Sequence, residues 1–290
     1  MLRYILLIIP IVIFAKPVKV DELLTKSGDV KVDLSLGYSN IDKKTDTFYP
    51  ITYQTANGDF VTIPSYMGTQ KSNQDYFNYG ISFKYGLTQK LEIFSNINMF
   101  TSHTNISHNG DFYSQNDKGF NNLNIGLAYQ LKKEDESPSF LIGASTDAIS
   151  NIQFSDNSNK KHYFKNYGVF VSSYYTVDPI VFFIKADYRI DNKKEYGGRS
   201  VENGDSFILS PQVYFAVNPY TNLNWGLKYQ YSSKNKVDGQ VVSGNNSSLG
   251  YLMGLSYELS SKSIIDVAYE NNDNSDYAIK SLNLTMTYKF

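Results

Sequence analysis

"NLNWGLKYQY", Asn222 to Tyr231, alternates without a break. Leu223, Trp225, Leu227, Tyr229 and Tyr231 share one parity; Asn222, Asn224, Gly226, Lys228 and Gln230 take the other. Successive side chains of a strand point to opposite faces, so this stretch is a strand with one apolar and one polar face. The pattern recurs. "YFNYGISFKYG" sets Phe77, Tyr79, Ile81, Phe83 and Tyr85 against Asn78, Gly80, Ser82 and Lys84. "LGYLMGLSYEL" sets Leu249, Tyr251, Met253, Leu255 and Tyr257 against Gly250, Gly254, Ser256 and Glu258. "VDLSLGY" (Val32–Tyr38) and "SLNLTMTYKF" (Ser281–Phe290) behave alike, and no comparable stretch has the helical period.

The size of the residues on each face separates a soluble from a membrane barrel. A small soluble barrel turns its apolar face inward, where many large side chains would crowd the axis. Here the apolar parity carries Tyr, Phe, Leu, Ile and Trp, while the other carries Gly, Ser, Asn and charges. Large and apolar suits lipid; small and polar suits a wet lumen. Tyr recurs near segment ends, at Tyr38, Tyr85, Tyr129, Tyr188, Tyr257 and Tyr288, where an aromatic girdle belongs. In lipid every backbone polar group must be paired, so such a sheet closes on itself.

Connections alternate in length. Short ones fall at 86–89, 132–138, 177–179, 218–221 and 260–262; long polar ones fall at 42–75, 102–118, 151–161, 192–204, 232–246 and 271–276. The expected fold is all-β: a transmembrane antiparallel up-and-down barrel of the bacterial outer-membrane type, with roughly twelve strands. It spans 29–290, with 43–75 as the longest extracellular loop. Within that loop Asn57-Gly58 signals a hairpin turn, and the hairpin is expected above the membrane or folded over the pore.

The 290 residues include 25 Tyr, 18 Phe, one Trp and no Cys, with a formal net charge of −1. Disulfides are therefore excluded, and the charge gives no footing for nucleic acid. The single long apolar run, Tyr4–Ala15 behind Met-Leu-Arg, reads as a signal peptide over 1–15. Residues 16–28 then form a periplasmic leader, read either as a short helix over Val20–Gly28 or as a disordered stretch.

The polar parity places Lys84, Glu92, Lys185, Asp187, Arg189, Lys228, Glu258 and Asp266 toward the lumen as candidate pore-lining residues. Lys31, Asp33, Glu270 and Lys289 share that face, and such charges either bias solute passage or brace the wall as ion pairs. His103, His108 and His162 fall outside the strands without the spacing of a metal or nucleophile site, so no catalytic residue, metal or cofactor is expected. Leu282, Leu284, Met286, Tyr288 and Phe290 form an apolar face resembling the insertion signal that outer-membrane barrels present to the barrel-assembly machinery. Expected surroundings are outer-membrane lipid and lipopolysaccharide.

Three stretches carry a family likeness: "FKYGLTQKLEIFSNI" (Phe83–Ile97), "NNLNIGLAYQLKKEDESPSFLIGAS" (Asn121–Ser145) and "GDSFILSPQVYFAVNPYTNLNWGLKYQY" (Gly204–Tyr231). Through them the chain resembles a family of exported barrels described as transporters of the meta-pathway of phenol degradation. The resemblance implies passage of small solutes, aromatic ones among them, and the expected function is a passive channel for small solutes, hydrophobic or aromatic compounds included, rather than an enzyme. The rival readings are an adhesin or structural barrel with a sealed lumen, a barrel that exports functional-amyloid subunits, and an outer-membrane hydrolase.

Overall fold

The computed structural model describes residues 24–43, 51–64, 72–108, 111–153, 159–196 and 198–290. The signal peptide read over 1–15 and most of the leader lie outside these residues. Nineteen strands are described. The first ten are β1 (Val30–Lys43), β2 (Ile51–Gln54), β3 (Phe60–Ile63), β4 (Ser72–Gly86), β5 (Leu91–His108), β6 (Asp111–Lys132), β7 (Phe140–Gln153), β8 (Asn159–His162), β9 (Asn166–Val177) and β10 (Ile180–Asp191). They are followed by β11 (Lys194–Tyr196), β12 (Arg199–Glu202), β13 (Ser206–Asn218), β14 (Thr221–Ser232), β15 (Asn235–Val237), β16 (Gln240–Ser243), β17 (Asn246–Ser260), β18 (Ser263–Asp273) and β19 (Tyr277–Lys289).

Twelve of them close a barrel: β1, β4, β5, β6, β7, β9, β10, β13, β14, β17, β18 and β19, each antiparallel to its neighbour. The seam is β1 against β19, paired from Lys31↔Lys289 to Lys43↔Tyr277. Closure leaves the barrel without a free edge. The barrel strands run from 11 to 22 residues, enough to cross a bilayer, which takes about 9–11 tilted residues.

The parity read from the sequence is the parity of the wall. Leu34, Leu36, Phe83, Ile93, Leu127, Val169, Phe182, Trp225, Met253 and Leu284 point outward and are exposed on the bare chain. Tyr38 and Tyr188 stand toward the long-loop end, and their hydroxyls donate to Asp75 (2.7 Å) and Asp205 (3.2 Å). Tyr85, Tyr129, Tyr257 and Tyr288 stand toward the short-turn end. The rings thus lie against the apolar belt, with polar neighbours beyond it, as interfacial anchors do.

The long connections are more ordered than expected. The stretch 102–118 is not a loop: β5 and β6 continue past the barrel as one hairpin, paired as far as His108↔Asp111. The connections at 192–204 and 232–246 meet in a four-stranded sheet, β11–β12–β15–β16, above the rim.

The largest departure is the β2–β3 hairpin. It neither stands above the membrane nor caps the pore; it is folded down inside the lumen. Ile51, Tyr53, Val61 and Ile63 are almost fully buried there, packed with Ile41, Tyr76, Phe100, Tyr277 and Ile279 of the wall. The wall supplies this packing by breaking its own pattern. At the long-loop ends of β1, β4, β5 and β19 the inward parity turns apolar, so the upper lumen offers a hydrophobic socket. Burial of such side chains stabilises the seated hairpin by about 1.5–3 kcal/mol for each large one.

Candidate functional site

Two inserts meet the barrel interior from opposite ends. From the long-loop end comes the hairpin, whose strands pair with each other and whose remaining polar groups bond to the wall. On one side Tyr53 donates its hydroxyl to Glu270 at 2.9 Å. Lys228 donates to Glu270 at 2.7 Å and also to the Gln54 carbonyl. On the other side the Thr62 amide donates to Asn121 (3.1 Å), and Asn122 donates to the Phe60 carbonyl (3.0 Å). At the tip, Asn96 donates to Asp59 (2.7 Å) and Thr285 donates to Asn57 (2.9 Å). Between the hairpin's Ile51–Thr52 edge and the β13–β14–β17 wall only about 30 Å³ stays open, room for one or two waters.

A polar belt around the wall holds the socket in shape. Asn78 donates to Asn98, Asn98 to Asn122, and Asn122 and Asn124 to Asp147, all at 3.0–3.2 Å. Asp147 also accepts from Asn166 (2.6 Å) and Arg189 (2.7 Å). Arg189 reaches Asp191 at 3.2 Å, which in turn accepts from Lys194 at 3.3 Å. The Arg189 guanidinium lies over the Phe60 ring, 4.9 Å from its centre. Asp147, Arg189, Asp191 and Lys194 are thereby each paired and hydrogen-bonded, the condition under which burial is tolerated.

From the short-turn end comes the segment 24–28. It is extended with a turn at Gly28 rather than helical, so the expected helix is absent over the described part of the leader. Leu24 packs on Ala128 and Leu141 with Phe94 and Phe170 alongside. The Thr25 amide donates to Glu92 at 2.6 Å, and Ser27 forms a parallel bridge with Gly86. A Cβ on Gly86 would stand 2.1 Å from the Lys26 carbonyl oxygen and 2.5 Å from that of Thr25, both backbone atoms. Gly86→Val is therefore expected to lift this segment from the mouth while the barrel persists. Trypsin should then cut after Lys26 about tenfold faster, a shift of about 1.4 kcal/mol toward the open form. An unchanged rate would mean that the segment is not seated.

Between the two inserts lies a chamber of about 500 Å³. Lys84, Glu92, Lys185, Asp187 and Asp266, five of the eight candidates, face it. Lys84 pairs with Asp33 at 2.7 Å and Lys185 with Asp187 at 2.9 Å; Ser256 donates to Asp266. Arg189 and Lys228 lie higher and hold the hairpin instead. Glu258 lies half-buried at the short-turn rim, where its amide donates to Tyr220 at 2.8 Å, outside the chamber lining.

Sequence reasoning missed the aromatic part of the chamber. Phe94 and Phe170 lie on the inward parity, across the ladder from Gly126 and Gly143. A Cβ at Gly143 would stand 2.1 Å from the Phe170 ring, so each ring rests where its partner has no side chain. Phe183 meets Tyr214 edge-on, with ring centres 6.1 Å apart. The signal was present in the glycines directly opposite inward aromatics.

The histidines form no comparable site. His103 is bonded to Asn116 at 2.7 Å as a cross-strand pair. His162 on β8 is buried, and desolvation with the ammonium groups of Lys194, Lys160 and Lys165 pushes its imidazole down to about 4, a weak base. The His108 side chain lies outside the described residues. Among the described residues no group of three His, Cys, Asp or Glu is placed to hold a metal.

No protein-family model matches the sequence, and no curated protein matches it. Solved structures do. The crystal structure of the COG4313 outer membrane channel from Pseudomonas putida F1 superposes with a TM-score of 0.60, over 92% of this chain and 97% of that one, at 13% identity. The chain folds as an outer-membrane β-barrel. The transport unit of the autotransporter AIDA-I from Escherichia coli gives a TM-score of 0.56 over 92% of each chain at 10% identity. The beta domain of the Bordetella autotransporter Brka gives 0.50, over 90% of this chain and all of that one, at 10% identity.

Proposed function

We propose that the chain is an outer-membrane channel for passive passage of small solutes, held closed by its hairpin. The observation that carries this reading is the chamber, a mixed polar and aromatic space on the barrel axis between two inserts. A purely structural barrel has no need of such a space. In this reading the short turns and residues 24–28 are periplasmic, and the β5–β6 extension and the four-stranded sheet are extracellular. Solute enters when the hairpin shifts, meets Lys84, Glu92, Lys185, Asp187 and Asp266, and leaves past Leu24. The similar barrel from Pseudomonas putida is an outer membrane channel, which supports the same class. The rings of Phe94, Phe170 and Phe183 supply apolar contact for solutes with a hydrophobic or aromatic part. The outward face of β19, Leu282, Leu284, Met286 and Tyr288 with Phe290 beside it, is the surface we assign to the assembly machinery. It then rests against lipid and lipopolysaccharide.

One observation favours a second reading. The hairpin is packed as tightly as a protein core, which suits a sealed barrel that works through its extracellular sheet. Planar-bilayer recording separates the two. The chain has no cysteine, so Asn57→Cys with Thr285→Cys places a single pair of thiols at the contact between hairpin tip and wall. The channel reading expects openings in wild type, their loss in the oxidised double variant and their return on reduction. Silent wild-type membranes would favour the sealed barrel.

A further inference from the structure

The chamber has an excess of acid. Asp33, Asp59, Glu92, Asp187 and Asp266 face it, against the two ammonium groups of Lys84 and Lys185, among the described residues. Lys31, which interacts electrostatically with Lys84 and Glu92, still leaves the carboxylates in the majority. Two carboxylates are spent on the lysines, Asp33 on Lys84 and Asp187 on Lys185. Glu92 accepts a backbone amide, Asp59 an Asn amide and Asp266 a Ser hydroxyl, all neutral donors.

A second observation points to a ligand. Asp187 is 6% exposed, and its Oδ1 takes Lys185 while its buried Oδ2 has no hydrogen-bond partner. A buried carboxylate oxygen left unpaired is costly, so it marks a place where a donor or cation belongs. The chamber is also lined with aromatic rings. Phe60, Phe94, Phe170, Phe183 and Tyr214 all border the same space. This lumen already sets cations on rings: Lys185 over Phe170 at 5.1 Å, Arg189 over Phe60 at 4.9 Å and Lys228 over Tyr53 at 4.9 Å.

From the unpartnered Asp187 oxygen, the acid excess and the aromatic lining, we infer that the chamber is a binding site for small organic cations, amines or quaternary ammonium compounds with an apolar part. An anion of the same size meets the surplus carboxylates, and a neutral solute brings no charge to offset them. The ring faces attract a desolvated cation through their quadrupoles, and the carboxylates compensate its charge. The volume lies within the range of about 300–1,000 Å³ typical of small-molecule pockets. The inference deepens the channel reading and rests on it for the way in.

The test uses two probes of similar size and fixed charge, benzyltrimethylammonium and benzenesulfonate. Calorimetric titration into the refolded full-length barrel is expected to show benzyltrimethylammonium binding at least about tenfold tighter than benzenesulfonate. Asp187→Asn should weaken it about tenfold, and Asp266→Asn, which leaves the Lys185 pair intact, should do so to a smaller extent. Heat-modifiable migration checks that both variants fold. Equal affinity for the two probes, a preference for the sulfonate, or undiminished ammonium binding in folded variants overturns the inference. Permeation of neutral arabinose into proteoliposomes tests the channel reading separately. Permeation without ammonium binding sinks the cation site alone; ammonium binding without permeation sinks only the passage.

Discussion

Glu270→Gln is expected to destabilise the folded barrel by about 3–5 kcal/mol, because removing one member of a buried ion pair strands the other. Glu270 is 1% exposed and sits where three elements meet. Its two oxygens accept from Lys228 of β14 at 2.7 Å and from Tyr53 of the hairpin at 2.9 Å. Lys228 is 3% exposed and touches the Gln54 carbonyl and the Tyr53 ring as well, but neither carries a countercharge. With Gln at 270 the ammonium keeps its hydrogen bonds and loses the one carboxylate within salt-bridge distance of it among the described residues. Urea titration of the refolded protein in lipid reads the loss. Lys228→Met combined with Glu270→Gln should cost less than the sum of the two single changes, since the pair is then removed together. A loss below about 1 kcal/mol in the single variant would match a water-exposed pair, and the hairpin could not then be seated as described.

The barrel was legible because a lipid-facing strand has no freedom to hide its period. Leu223, Trp225, Leu227 and Tyr229 must all face the same solvent, and a slip of one residue would turn the whole set inward. The short turns at 178–179, 219–220 and 261–262 were legible for a related reason, since the alternation stops on both sides of them. The interior was less legible because its contacts join residues far apart in the chain. Arg189 finds Asp147 across 42 positions and Lys228 finds Glu270 across 42, so inward parity alone cannot tell a lining residue from a brace. Lys185 and Asp187 are the exception: two residues apart on one strand, they share a face, and their pairing could have been read directly. The hairpin left a subtler trace. Tyr76 beside Phe77 on β4, the strand that follows the longest connection, and Phe100 beside Met99 on the adjoining β5 put large apolar residues on both faces at once. A wet lumen has no use for Tyr76 or Phe100; a lumen that receives a hairpin does.

Leu227→Arg and Asn224→Arg are expected to behave oppositely, although both lie on β14. Leu227 pairs with Tyr251 of β17 and points outward beside Trp225 and Tyr229, in the middle of the apolar belt. An arginine there must stay in hydrocarbon or bend toward a headgroup, at a cost of about 2–4 kcal/mol near the midplane. Asn224 points inward, borders the chamber and donates to Gln212 at 3.3 Å. An arginine there trades one weak hydrogen bond for access to a space rich in carboxylates, so its cost should stay within about 1 kcal/mol. Its positive charge would also compete with a bound cation, which separates a lumen effect from a folding effect in the same variant. Refolding both proteins into bilayers and titrating with urea gives the two free energies side by side. Equal losses at both positions would mean that the two faces of β14 see the same surroundings. No transmembrane barrel with this register has that property, because its wall divides lipid from lumen at every residue along the strand.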